Sequence, residues 1–354
     1  MKKFFLLAAA AVVAFASCSK NDQPEQREAA IAFSSYTGRA ISKADGSFIG
    51  KESTELPANS KFAVWAYNTG SSAWAGTVSN VFMNNVEVTY AGQGKADPSK
   101  YTYTPLRYWP NDEANNKLSF FAYYPAGGTG ITAPTNGWGA YTFTAQTTPA
   151  TMVDFLFSEV AADQTYTHTN SQVNGVVNMK FHHALSMVKF KVNTDKEYAN
   201  TTIKLVSIKV AGVKTAGTFT PQTASPYGAW TGQTTAADFN VYAGTPKTLT
   251  TTAEFLPTGT EATDAYLMVP QDLGADVIAT ITYSVKTGED AEVTNIANVV
   301  LNTAKDKNDV AINKWNMNQN TVYTFTVGLK PIEFIAEVFD WDAETVSGIK
   351  IPTE

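Results

Sequence analysis

Apolar residues recur at every second position along much of this chain, and that period of two predicts strands. The clearest run is Val188-Lys189-Phe190-Lys191-Val192. Val86, Val88 and Tyr90 alternate with Glu87 and Thr89, which gives one face for a core and one for water. Residues 61–67 are apolar on both faces, as in a strand covered from both sides. Tyr101-Thr102-Tyr103 repeats the alternation, residues 118–124 end at Pro125 ahead of a Gly-rich turn, and 153–157 form a short run. Residues 177–181 lead into His182-His183-Ala184-Leu185. Further strands are predicted over 203–210, 266–269, 277–285, 299–301, 322–327 and 332–339. With roughly seven short strands on each side of residue 180, the pattern predicts an all-β chain of two tandem β-sandwich domains, 31–180 and 181–354.

The N-terminus follows a different rule. Lys2 and Lys3 precede an apolar run from Phe4 to Ala16 that is too short to span a bilayer and fits a signal peptide over residues 1–17. Phe15-Ala16-Ser17-Cys18 resembles a bacterial lipobox, so Cys18 is the expected lipidation site. Acyl chains there would anchor the mature protein to a membrane. Residues 18–30 are polar and predict a flexible tether.

Composition narrows the function. Lys and Arg total 26 against 32 Asp and Glu, for a net charge of −6, and removing Lys2 and Lys3 takes it near −8. A nucleic-acid partner is disfavoured, because phosphate would be repelled. The single cysteine is spent at the lipobox, which leaves no disulfide and no Cys-containing metal site. His168, His182 and His183 are the only histidines, and neighbours on a strand face opposite ways, so His182 and His183 read as structural rather than chelating. No Gly-x-Ser-x-Gly elbow is present. Asp340 and Asp342 flank Trp341 at a spacing that a glycosidase would tolerate, but they read more simply as solvated acids at a strand end. Asp306-Lys307-Asn308-Asp309 resembles the start of a Ca²⁺ loop without its glycine or distal glutamate. Of the tryptophans, Trp65 and Trp109 fall in strand patterns and read as core, whereas Trp74 and Trp138 fall in loops and are the candidate ligand surface. No cofactor, no metal and no enzymatic activity are predicted.

Several stretches together resemble the fimbrillin family of type V pilins and fimbrillin-like lipoproteins. They are the lipobox at Cys18, IAFSSYTGRA at 31–40, KFAVWAY at 61–67, YTYTPLRYWP at 101–110 and KLSFFAYYP at 117–125, then VNMKFHHALSMVKFKV at 177–192 and NTVYTFTVGLKPIEFIAEVFDW at 320–341. The resemblance implies two transthyretin-like β-sandwich domains. It also implies a pilus subunit or adhesin, delivered to the outer membrane as a lipoprotein and joined to other fimbrial subunits by donor-strand exchange. A surface protease would cut after Arg39, or after Lys43 as second choice, and excise a first strand over 31–36 carrying Ile31 and Phe33. The donor would come from 332–339, with Ile332, Phe334 and Val338 in its apolar row, or from 346–351. A host or bacterial surface receptor is a further partner, its identity open. The alternative is a surface glycan-binding lipoprotein of a polysaccharide uptake system, for which Trp74 and Trp138 would be the sugar platforms.

Overall fold

The computed structural model describes residues 26–37, 43–44, 47–48 and 55–341, apart from 77, 79, 262, 307 and 308. Cys18, Arg39, Asp342 and residues 346–351 lie outside the described residues. Among the described residues the chain is built from strands, with three one-turn 3₁₀ segments and no α-helix.

The run at 61–67 lies inside strand Ser60–Gly70, in the middle of an eight-stranded sheet. The path across that sheet is 32–37, 176–183, 156–158, 117–124, 60–70, 81–90 and 101–102, with 161–164 beside 117–124. Its central strands explain why their sequences are apolar on both faces. Phe62, Val64 and Ala66 enter one core, while Ala63, Trp65 and Tyr67 enter another. Strand Lys117–Tyr124 is divided in the same way, with Phe120 and Ala122 on one side and Phe121 and Tyr123 on the other. The sheet therefore separates a smaller core from a larger one.

Two further sheets close the larger core. One runs 131–132, 141–144, 201–221, 278–287 and 293–300, with 228–242 and 247–248 also against 201–221. The other runs 254–255, 186–194, 319–327 and 333–340, with 265–268 beside 186–194. Strands 186–194 and 319–327 pair in parallel over eight residues.

Strand Thr201–Pro221 is much longer than the predicted 203–210. Gly212, at φ +78°, is where it changes partner: residues 201–211 pair with 278–287, and 216–219 pair with 141–144. A Cβ at Gly212 would overlap the backbone carbonyl of Asp276, so glycine permits the close approach. Its neighbour, strand Gly228–Tyr242, escaped the periodicity reading because only Gly228, Phe239 and Val241 of it are buried.

Two expected boundaries do not match the pairing. The division at 180/181 falls inside strand Val176–His183, and 131–132 and 141–144 join the sheet of 201–221. The larger core draws Trp65, Phe121 and Tyr141 together with Phe190, Phe219 and Tyr323. The physical reason is that the central strands are apolar on both faces and must bury both. The expected tether at 18–30 also ends early, because Gln26–Ala30 forms a strand against Tyr108–Pro110. There, ladder hydrogen bonds to 108–110 outweigh the polar character of the segment.

Candidate functional site

Two strands, one near each end of the described chain, lie at sheet edges. Strand Ala32–Thr37 ends the eight-stranded sheet, paired in parallel with 176–181 alone, from Ala32 opposite Val176 to Thr37 opposite Phe181. Its other flank has individual contacts in place of a ladder. The Ile31 N–H donates to the Arg107 carbonyl at 2.8 Å, and the Ser35 N–H lies 3.1 Å from the Lys95 carbonyl. The Tyr103 hydroxyl donates to the Ile31 carbonyl at 2.7 Å. Ser35 Oγ lies 2.8 Å from the Tyr101 hydroxyl, which itself donates to the Lys95 carbonyl.

The side chains are sunk deeper than this pairing suggests. Ile31 and Phe33 are fully buried in the smaller core. The Phe33 ring meets Tyr103, Phe120 and Phe62 at centroid distances of 5.5, 6.1 and 6.3 Å. Val177, Met179 and Phe181 of the neighbouring strand face the same core. Burial raises the hydroxyl pKa of Tyr101 to about 12, against the pull of its bond to Ser35, and raises that of Tyr103. Tyr36 points outward, with the Lys95 ammonium 4.8 Å from its ring centre. Lys43, the second-choice cleavage residue, lies on a two-residue strand paired with 47–48.

At the other end, strand Glu333–Asp340 is the edge of the sheet 254–255, 186–194, 319–327, 333–340. It pairs antiparallel with 319–326 over eight residues. Of the predicted apolar row, Ala336 is buried, while Ile332 and Phe334 are half-buried against the larger core. Phe334 lies 6.3 Å from Phe325. Val338 is 37% exposed, so the row loses cover toward the C-terminus.

The loop tryptophans are brought together. Trp74 and Trp138 meet edge-on at 5.6 Å. Trp74 stacks on Tyr67 at 5.2 Å, and Trp138 meets Phe121 at 5.0 Å. Both are half-buried against the larger core, so they close a sheet face and do not stand out as two sugar platforms. His182 and His183 point to opposite faces. His182 Nε2 lies 2.9 Å from Glu159 Oε1, and His183 Nδ1 lies 2.8 Å from Asp154 Oδ2. The second pair was missed in the sequence, since nothing in the spacing of Asp154 and His183 announces it. Among the described residues no group of three or more His, Cys, Asp and Glu could hold a metal.

A multi-sheet, all-β body of this kind is the fold of a solved fimbrial protein from Bacteroides vulgatus. That structure superposes with a TM-score of 0.60 at 20% identity, covering 89% of this chain and 100% of the other. A fimbrillin-like family profile matches residues 51–341, and the chain belongs to the fimbrillin-like family. It is also 30% identical over 218 residues to the fimbrium subunit Fim1C of Phocaeicola vulgatus, covering 56% of this chain. The match spans 53% of that relative, about half its length.

Proposed function

We propose that this chain is a non-enzymatic fimbrial subunit of the cell surface, exported as a lipoprotein through Cys18 and assembled with other fimbrial subunits by strand exchange. In this reading a protease cuts after Arg39, or Lys43, and frees the segment carrying Ile31 and Phe33. The observation that carries it is the position of Ala32–Thr37: one regular ladder on one side, isolated hydrogen bonds on the other, and Phe33 fully buried. Its loss would bare the backbone edge of 176–181 and an apolar slot lined by Val177, Met179 and Phe181, a template for another strand.

A donor strand from a second subunit, 332–339 with Ile332, Phe334 and Val338 or else 346–351, supplies the same chemistry. Each large side chain buried contributes about 1.5–3 kcal/mol. Each ladder hydrogen bond adds about 1 kcal/mol. Family membership and the likeness to Fim1C support the fimbrial part of this reading. The glycan-uptake alternative rests on Trp74 and Trp138, and their half-buried packing against the larger core does not favour it.

The test is to treat the mature chain with an Arg-specific protease and follow size by gel and electron microscopy. The expected result is a cut after Arg39, followed by rods or ladders of oligomers. An uncut chain, or a cut chain that stays monomeric, would overturn strand exchange.

A further inference from the structure

A cleft of about 480 Å³ opens where the start of strand 228–242 meets the paired segments 271–272 and 314–315. Trp230 forms part of its wall and is fixed from behind. Its indole N–H donates to the Ala184 carbonyl at 2.6 Å, and its ring meets Phe219 at 5.7 Å and Phe143 at 5.9 Å. Gly217 lies beneath it, where an added Cβ would come within 3.1 Å of the indole. An aromatic surface held this firmly loses little freedom when a ligand arrives. Met317 continues the apolar part of the wall.

The rim is polar and carries more positive than negative charge. Lys214 and Lys314 are exposed on it, against the single carboxylate of Asp272, which stands 3.9 Å from Lys314. In a chain of net charge −6 this is a local reversal of sign. Gln233 spends an amide N–H on the Pro270 carbonyl, and Asn316 spends one on Gln319. Both amide oxygens remain as acceptors for hydroxyl groups.

Part of the backbone at this wall is already bonded. Gln271 donates to the Lys214 carbonyl and accepts from the Lys214 N–H, both at 2.9 Å, while 271–272 pair with 314–315. A ring with hydroxyls, a C–H face and a carboxylate finds a partner for each part, and the volume falls within the usual range of small-molecule sites.

We propose that this cleft binds an acidic sugar residue of the uronic or sialic acid type, with Trp230 under the ring and Lys214 and Lys314 on its carboxylate. The proposal is independent of strand exchange, because the site is present in the uncut chain.

The experiment titrates the uncut, folded chain with trigalacturonate and with sialyllactose, using maltotriose and lactose as neutral counterparts. Tryptophan fluorescence and saturation-transfer NMR report binding. At least one acidic sugar is expected to bind about tenfold or more tighter than its neutral counterpart. The double variant K214A/K314A, its fold checked by thermal melting, is expected to lose that margin, and added salt to reduce it. Absent binding of both acidic sugars, equal binding of neutral ones, or wild-type affinity in the double variant would overturn the proposal. Displacement of the sugar by a short Asp/Glu peptide at lower concentration would instead assign the cleft to an acidic peptide and would also overturn it.

Discussion

The imidazole of His183 lies flat on the indole of Trp341, with ring centroids 4.0 Å apart and planes at 14°. Asp154 Oδ2 approaches the same imidazole to 2.8 Å, and all three side chains are buried. Trp341 follows the C-terminal edge strand, and its N–H donates to the Asn318 carbonyl. The stack thus fastens the end of 333–340 to the end of 176–183. His183→Ala would remove the stack and empty a fully buried ring site beside Asp154. The expected loss is about 3–5 kcal/mol in urea unfolding followed by tryptophan fluorescence. The variant H183F, which restores an aromatic plane, is expected to lose less than H183A.

Phe33→Ala should cost about 3–5 kcal/mol, the usual range for emptying a fully buried phenylalanine site. Tyr36→Ala, three residues along the same strand, should change stability by no more than about 0.5 kcal/mol, because that ring is 42% exposed. Equal effects in thermal melts would mean that the strand is not seated through its inward face.

Alkaline pH should unfold the chain through its tyrosines. Burial raises the hydroxyls of Tyr67, Tyr141, Tyr266 and Tyr323 well above the ordinary 10.0, and Tyr101 to about 12. A raised folded value means that the fold favours the neutral phenol. That stability is complete below pH 10.0 and is lost as pH rises through the raised values. Phenolate absorbance from these residues should therefore appear together with loss of the strand circular dichroism signal. Phenolate appearing first, in an intact fold, would contradict it.

The acid limb has the opposite sign. Burial pushes the Glu55 carboxyl up, but donors from Lys95, Tyr90 and Gly94, with the Lys95 charge, outweigh it and hold the pKa below 4.5. Its contribution is present above 4.5 and is lost as pH falls below that value. Glu55→Gln should flatten the acid side of a stability–pH curve and, because Glu55 helps raise the Tyr90 and Tyr101 hydroxyls, soften the alkaline side as well.

Gly212→Ala and Gly232→Ala form a matched pair, since both glycines have positive φ, +78° and +62°. At Gly212 the new methyl would also overlap the Asp276 carbonyl, whereas at Gly232 nothing lies within 4 Å. Gly232→Ala should cost about 1 kcal/mol from backbone strain, and Gly212→Ala clearly more. Differential scanning calorimetry would rank them.

The inner strands were legible because burial wrote itself into the chain. Residues 61–67 are apolar at every position but one, and the structure sends alternate side chains into two cores. Strand 228–242 was not legible: only Gly228, Phe239 and Val241 are buried, so it follows its partner through backbone bonds that leave no periodic mark. The edge position of Ala32–Thr37 was equally hidden, because whether a strand has one neighbour or two depends on residues far along the chain. Trp74 and Trp138 show the same limit. Their Gly- and Ser-rich surroundings read as exposed loops, and only the fold brings the two rings together on Tyr67 and Phe121.

Ala184 and Leu185 are the two residues between strand 176–183 of one sheet and 186–194 of another, and both are fully buried. Their backbone is tied on several sides: Ala184 N–H to the Phe155 carbonyl, Asn318 N–H to the Leu185 carbonyl, and the Trp230 indole to the Ala184 carbonyl. A junction so short and so thoroughly bonded has no room to act as a hinge. Were the chain to build a filament, this junction would supply none of its curvature.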